Sequence, residues 1–169
     1  MNINARINVV LVRPEIPQNT GNIIRLCANV GASLHLIKPL GFDLSDRKLT
    51  RASLDYIDIA DVVVHDSLQD LFQSLELTRC FGALVNGYTS YTSPTYRVGD
   101  TMIFGQESIG LDESTISLIP KDNLVRIPMA PSNRSLNLSN AVSIIVYEMW
   151  RQMDFKGSDV SDVNQLYYN

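Results

Sequence analysis

The sequence predicts an α/β fold in which a mostly parallel sheet carries helices on both faces, and three observations support this prediction. Short runs rich in β-branched residues alternate with segments of helical periodicity along the 169 residues. The runs are apolar at almost every position, as expected for strands buried on both faces. The composition, with 45% hydrophobic and 19% charged residues, is typical of a globular domain.

The apolar runs and the residues that end them define the predicted elements in order. Strands are predicted at residues 7–12, 34–37, 62–64, 81–85, 102–104 and 124–127. We expect the first helix to be capped by Asn19 or Thr20 and to end at Gly31. Residues 67–75 predict a second helix. A last helix over residues 140–150 is apolar on nearly every side, so it must be covered by a partner subunit or lie at the centre of the monomer.

Charge and cysteine content narrow the possible functions. The net charge is −4 and the isoelectric point near 5.0, whereas proteins that hold nucleic acid by bulk charge are normally basic. Any RNA site must therefore be a local basic patch. Cys27 and Cys80 lie in apolar surroundings, which favours reduced, buried thiols and a cytoplasmic protein. We expect no metal site, because the cysteines and two histidines lack ligand spacing, and no membrane span.

Polar residues cluster after three of the predicted strands, where ligands bind in α/β sheets. The segments cover residues 14–25, 104–110 and 127–140. None of them forms the glycine-rich turn of a dinucleotide site, a complete phosphate loop or a nucleophile elbow. The third segment is rich in serine and asparagine, and uncharged hydroxyls and amides suit a polar, mostly neutral ligand better than a polyphosphate.

These three segments, in this order, resemble the motifs of the SPOUT superfamily of RNA methyltransferases. The similarity is greatest to its minimal branch, the TrmL-type tRNA wobble-ribose 2′-O-methyltransferases. Residues 14–29 resemble the first motif, and Phe104-Gly105 with Glu107 the second. Residues 126–129 with residues 134–141 resemble the third. The similarity extends over residues 7–157, and we expect residues 1–157 to form a single domain followed by a polar tail at residues 158–169.

The resemblance implies a function, a cofactor and an assembly. The implied reaction is S-adenosylmethionine-dependent methylation of the ribose 2′-oxygen of the wobble nucleotide, cytidine or uridine 34, with S-adenosylhomocysteine as the product. The implied partners are the tRNA anticodon stem-loop and a second copy of the chain, joined through the first and last helices. A deep trefoil knot is implied in the C-terminal part of the sheet. The implied cofactor contacts are Ala83, Gly105, Ile127, Ser135 and Leu136.

We assign catalytic roles to Arg25, Glu107 and Asn137. A guanidinium stays protonated and is a poor base, so we expect Arg25 to clamp a neighbouring phosphate and to stabilise negative charge on the reacting oxygen. Glu107 is expected to orient Arg25 or the substrate, and Asn137 to fix the ribose together with Ser135.

The chain departs from the family at two positions and leaves other functions open. Asn86 stands where relatives often carry lysine, and Ile109 where many carry arginine. Methylation of ribosomal RNA and a silent cofactor- or RNA-binding dimer are alternatives on the same scaffold. A small-molecule enzyme would suit the acidic isoelectric point but leaves the three motifs unexplained. The remaining candidates for a phosphate-binding surface are Arg6, Arg13, Arg47, Lys48, Arg51 and Arg134.

Overall fold

A seven-stranded parallel sheet forms the centre of the computed structural model, which describes residues 7–45, 47–53, 60–75 and 79–158. The strands are β1 (Asn8–Val12), β2 (Ser33–Ile37), β3 (Asp61–His65), β4 (Cys80–Ala83), β5 (Thr89–Ser90), β6 (Thr101–Phe104) and β7 (Leu124–Arg126). The helices are α1 (Pro17–Val30), α2 (Arg47–Ser53), α3 (Leu68–Ser74), α4 (Glu113–Ile116) and α5 (Leu138–Gln152). The strand order across the sheet is β3-β2-β1-β6-β4-β7-β5, and all paired strands run parallel.

Helices cover both faces of this sheet, as the sequence predicts. Val9 and Leu11 of β1 pack in the core on the side of α1, α2 and α5, while Val10 and Val12 pack with α3 and the region around α4 on the other side. Alternate residues of a strand point to opposite faces, so a strand covered on both must be apolar throughout. This explains why the predicted strands lack polar alternation.

The predicted strands and helices are confirmed to within a few residues, with one cap placed wrongly. Helix α1 begins at Pro17 with Ile16 as its N-cap, and no side chain caps it. Proline is well suited to a first helical turn because its missing N–H has no partner there, so neither Asn19 nor Thr20 is needed as a cap. Gly31 ends the helix in the left-handed conformation, as predicted. The short elements α2, α4 and β5 were not predicted.

Helix α5 lies at the surface of the chain and is not a central helix. Val142, Ile145 and Met149 are buried against the sheet and α1, whereas Ile144 and Tyr147 are exposed on the opposite side. Within the single chain, one face of this apolar helix is therefore uncovered.

The chain crosses itself beside β7. The segment that leaves β4 passes over β7 before forming β5, so that β7 lies between them in the sheet. The amide of Leu84 donates to the carbonyl of Val125, and that of Tyr88 to Leu124, each at 2.9 Å. A Cβ atom on Gly87 would overlap the backbone of Val125, so only glycine permits this close approach.

Some sequence predictions fall outside the described residues. They are Arg6, the side chain of Lys48 and, apart from Ser158, the predicted polar tail. In the part of the chain that the structure describes, no helix is long and apolar enough to cross a membrane.

Candidate active site

A cleft of about 630 Å³ opens at the carboxyl ends of the central strands. Its walls are the segments that follow β1, β4, β6 and β7, which parallel strands bring to one edge of the sheet. The volume lies in the range typical of small-molecule sites. Among the described residues that line it, Glu107 and Arg134 carry charge and the others are apolar or neutral.

All five residues predicted to contact the cofactor line this cleft. Ala83 ends β4, Gly105 follows β6, and Ile127 follows β7. Ser135 and Leu136 approach from the loop that precedes α5. The structure thus brings together residues that are far apart in sequence, while their roles stay predictions.

Gly105 occupies a position that excludes any side chain. The amides of Gln106 and Gly110 each donate to the other residue's carbonyl oxygen, at 3.1 and 2.9 Å, which folds residues 106–110 into a tight turn. A Cβ atom on Gly105 would overlap the carbonyl group of Gly110. The turn therefore packs directly on the backbone at the end of β6, and Gly110 supports it with a φ of 74°.

Glu107 joins this turn to the segment after β1. Its carboxylate accepts hydrogen bonds from the amides of Glu15 and Ile16, at 2.8 and 3.2 Å, and from the side-chain amide of Asn19 at 3.0 Å. Glu107 therefore holds the start of α1 against the cleft, while its predicted role in orienting Arg25 or the substrate stays a prediction.

Asn137 extends the same network to the third segment. Its amide nitrogen donates to Oδ1 of Asn19 at 2.9 Å, while its own Oδ1 caps α5 by accepting from the backbone and hydroxyl of Ser139. Asn19 bonds to both Glu107 and Asn137, whereas the sequence predicted it as a helix cap within the first segment and not as a link between segments. The amide and carboxylate side chains of the three segments were the signal from which this network could have been found. The bonded residues are 88 and 118 positions apart in the sequence, so no local pattern pairs them.

A second set of contacts clasps the turn from its outer side. The carboxylate of Glu15 accepts from the amide and the hydroxyl of Ser108, at 2.9 and 2.8 Å. Arg13 forms an ion pair with Asp112, the N-cap of α4. Hydrogen bonds from Thr115, with smaller contributions that include Arg13, hold the pKa of Asp112 well below its usual range. These contacts were not predicted.

Arg25, by contrast, lies away from the cleft. It is exposed on α1, on the side of the helix opposite the buried residues Ile24 and Cys27, and is not among the described residues that line the cleft.

Cys27 is fully buried, and burial raises the pKa of its thiol to about 12. A thiol with such a pKa is no nucleophile near neutral pH, in agreement with its predicted packing role.

The predicted basic surface is only partly available. Arg134 lines the cleft and is exposed, and Arg47 and Arg51 are exposed on α2. Arg13 is engaged by Asp112. Of the predicted basic residues whose side chains the structure describes, Arg134 alone lines the cleft.

Known proteins share this fold and align with most of the length of this chain. The model of the SpoU rRNA Methylase family matches residues 6–147. A tRNA (cytidine(34)-2′-O)-methyltransferase of Methylovorus glucosotrophus is 46% identical over 151 residues, which cover 89% of this chain and 98% of the relative. A solved structure described as giving insight into the 2-OH methylation of C/U34 on tRNA is 42% identical, covers 88% of this chain and 97% of its own, and has a TM-score of 0.83.

A further solved structure holds a cofactor. The SpoU methyltransferase AviRb of Streptomyces viridochromogenes, in complex with AdoMet, is 28% identical, covers 89% of this chain and 62% of its own, and has a TM-score of 0.82. The fold and the cleft thus define a methyltransferase of the SpoU type. The chain belongs to the SpoU rRNA Methylase family, which confirms the resemblance found in the sequence.

Proposed function

We propose that this protein methylates the ribose 2′-oxygen of nucleotide 34 of tRNA, a cytidine or uridine, with S-adenosylmethionine as the methyl donor. The observation that carries the proposal is that all three motif segments meet in one cleft. The relative that is 46% identical bears the name of this activity, and the similarity covers 98% of its length. We further propose that residues 1–157 form one catalytic domain that works in the cytoplasm, where tRNA is modified.

The cleft suits the methyl donor in shape and charge. The exclusion of any side chain at Gly105 leaves bare backbone at the cleft wall, to which a flat ring can come close. One carboxylate and one guanidinium, those of Glu107 and Arg134, line an otherwise neutral site, which matches a small ligand of mixed charge better than a polyphosphate. The residues that would hold it are Ala83, Gly105, Ile127, Ser135 and Leu136. When bound, S-adenosylmethionine supplies a methyl group on a sulfonium, an activated donor that needs no metal.

We propose that the crossing beside β7 is part of a trefoil knot. Supporting this, β7 follows β5 and β6 in sequence yet lies between β4 and β5 in the sheet, where the segment that joins those two strands hydrogen-bonds to it. The segment and β7 touch so closely that Gly87 admits no side chain.

We also propose a homodimer formed through α1 and α5. The two helices pack side by side on one face of the sheet, and Ile144 and Tyr147 expose apolar surface on α5. Arg25 is exposed on α1. In such a dimer Arg25 meets RNA at the junction of the two copies, which reconciles its distance from the cleft of its own chain with a role in the reaction.

In the proposed reaction, different side chains of the protein have different roles. Glu107 and Asn19 fix the segment after β1, and Asn137 holds the start of α5 while it bonds to Asn19. Arg25 binds a phosphate beside the target ribose and stabilises negative charge on the 2′-oxygen, whose proton passes to solvent water. The rigid arrangement of donor and acceptor is the main catalytic effect, since alignment alone contributes on the order of 7–11 kcal/mol.

The decisive experiment incubates the pure protein with labelled S-adenosylmethionine and total RNA from cells that lack wobble methylation. Labelled nucleotides are then mapped by mass spectrometry. Label at the 2′-oxygen of nucleotide 34 in tRNA supports the proposal. Label in ribosomal RNA alone keeps the reaction but overturns the substrate, and bound cofactor without any transfer favours a silent binding protein.

Substitution of Arg25 tests the mechanism in the same assay. Arg25→Ala is expected to retain cofactor affinity and to lose about a hundredfold or more in turnover. Arg25→Lys is expected to be nearly as poor, because lysine lacks the bidentate fork. Arg97→Ala is the matched control, since Arg97 is exposed near the opposite edge of the sheet, in the segment before β6. Unchanged turnover in Arg25→Ala removes this residue from the mechanism.

A further inference from the structure

Exposed apolar side chains surround the mouth of the cleft. Ile16 is 42% exposed, Val85 50%, Ile109 68% and Leu136 38%, and all four line the cleft. Large apolar side chains that are grouped and exposed typically mark a surface that a ligand covers. These four come from the segments after β1, β4, β6 and β7, so each wall of the cleft contributes one.

Two of these residues, Ile16 and Ile109, are held on either side of Glu107, and we call them the apolar lip. The amide of Ile16 donates to Glu107, which fixes its backbone at the start of α1. Ile109 stands two residues beyond Glu107 in the turn that the paired amides of Gln106 and Gly110 close. Because Ser108 is bonded to Glu15, the two sides of the lip are clasped together.

The chemistry of the lip suits a nucleobase better than a phosphate. The lip itself carries no charge, and the two carboxylates bonded to its segments, those of Glu15 and Glu107, are anions that repel phosphate. A branched aliphatic side chain can instead cover the face of a flat, uncharged ring. Among the described residues that line the cleft, Arg134 carries the positive charge, and it belongs to the loop before α5 and not to the lip.

We propose that the apolar lip packs against the face of the pyrimidine base of the target nucleotide and so helps to hold its ribose at the cleft. This inference rests on the proposed function and adds a determinant of substrate binding that the catalytic residues do not supply. Ile16 and Ile109 act by positioning, since the face of the base and not the reacting oxygen contacts them.

A double-mutant cycle between the protein and the RNA tests the lip. The substrates are an anticodon stem-loop with cytidine 34 and the same stem-loop with an abasic ribose at position 34, which keeps the 2′-hydroxyl. The proteins are the wild type, Ile109→Ser, Ile16→Ser and the control Leu118→Ser, since Leu118 is exposed but does not line the cleft. The measurements are kcat/KM for each RNA, the affinity for S-adenosylmethionine and the oligomeric state.

With cytidine 34, each lip variant is expected to lose about tenfold in kcat/KM. With the abasic RNA, the wild type is already slow and the lip variants lose little more, while Leu118→Ser matches the wild type with both RNAs. Equal losses with both RNAs would overturn the inference, as would weaker S-adenosylmethionine binding or dissociation of the protein into monomers. If the wild-type protein fails to methylate the cytidine RNA, the proposed function itself is overturned, and the inference with it.

Discussion

Two networks of polar side chains lie on this sheet, and they differ in how far their hydrogen bonds are satisfied. In the cleft, Glu107, Asn19 and Asn137 bond to one another and to the backbone across three segments. Between β2 and β3, Nδ1 of His35 lies 3.0 Å from Nε2 of His65 in a buried pair. The other nitrogen of His35 finds no partner among the described residues.

The comparison shows that titratable groups alone do not locate a site. Burial, and then the neighbouring His65, lower the pKa of His35 to about 4, against an opposing effect of Asp61. Yet neither histidine is among the described residues that line the cleft. The cleft network instead orders three loops around an open space, so we expect its loss to affect activity and loss of the histidine pair to affect stability.

Removal of the carboxylate at the centre of the cleft network tests the first half of this comparison most strongly. Glu107→Ala leaves the amides of Glu15 and Ile16 and the side chain of Asn19 without their acceptor. We expect kcat/KM to fall by roughly a thousandfold, because a loosened cleft loses the alignment of donor and acceptor. Glu113→Ala, on an exposed site of α4, is the control. Comparable activity in the two variants would contradict a central role for Glu107.

The pH dependence of unfolding tests the second half. The pKa of His35 lies near 4 in the folded state and near 6.5 in the unfolded state. Between these two pH values, His35 therefore binds a proton in the unfolded chain but not in the folded chain. Stability is therefore complete above pH 6.5 and declines as the pH falls toward 4, by roughly 2–3 kcal/mol. Chemical denaturation of the wild type and His35→Gln between pH 7 and pH 4 measures this directly. In His35→Gln, most of the decline in unfolding free energy between pH 7 and pH 4 is expected to disappear. If the wild type and the variant lost stability in parallel over this range, the decline would not come from His35.

A double-mutant cycle sharpens the account of the cleft network. Asn19 and Asn137 share one hydrogen bond of 2.9 Å, and Asn19 also donates to Glu107. The variants Asn19→Ala and Asn137→Ala and the double variant are expected to show a coupling of about 1 kcal/mol in activation free energy. Additive losses in kcat/KM would mean that the two asparagines act independently. Asn137→Asp keeps an acceptor for the cap of α5 and separates capping from the bond to Asn19.

The sequence predicted the sheet well because its strands are apolar on both faces. Residues 7–12 and 102–104 are apolar at nearly every position, which predicts strands covered on both faces. The structure confirms this, with β1 and β6 paired side by side at the centre of the sheet. The strand order was beyond such reasoning, since nothing local in residues 124–126 places β7 between β4 and β5. The edge strand β5 has two residues, too few for a periodic pattern.

The candidate site was predictable as three segments but not as a network. Glycines and amides after the strands identified the segments because ligands bind at the carboxyl ends of parallel strands. Asn19 escaped because a residue of its type near a helix start is usually a cap, whereas Pro17 and Ile16 had already fixed that end of α1. Arg25 was assigned from the resemblance alone, and its position on the exposed side of α1 follows from helical periodicity, which places it away from Ile24 and Cys27.

The smallest expected effect concerns the outer clasp, where Arg13 meets Asp112. Asp112 also caps α4 by accepting from the amide of Thr115, so its substitution can separate the two roles. Asp112→Asn retains a capping side chain and loses only the charge of the pair, at a cost of about 0.5 kcal/mol in unfolding free energy. Asp112→Ala loses both, and about 1–2 kcal/mol is expected. Arg13→Gln should match Asp112→Asn in thermal denaturation.

Acidification offers an independent check on the same pair. The pKa of Asp112 is depressed in the folded state, so its contribution is present above the unfolded pKa of about 4 and is lost as the pH falls below it. The His35 effect acts at higher pH and should be unchanged in Asp112→Asn. If that variant instead changed how steeply stability declines between pH 6.5 and about pH 5, the two polar regions would be coupled across the sheet, and the division between a site that serves activity and a pair that sets stability would fail.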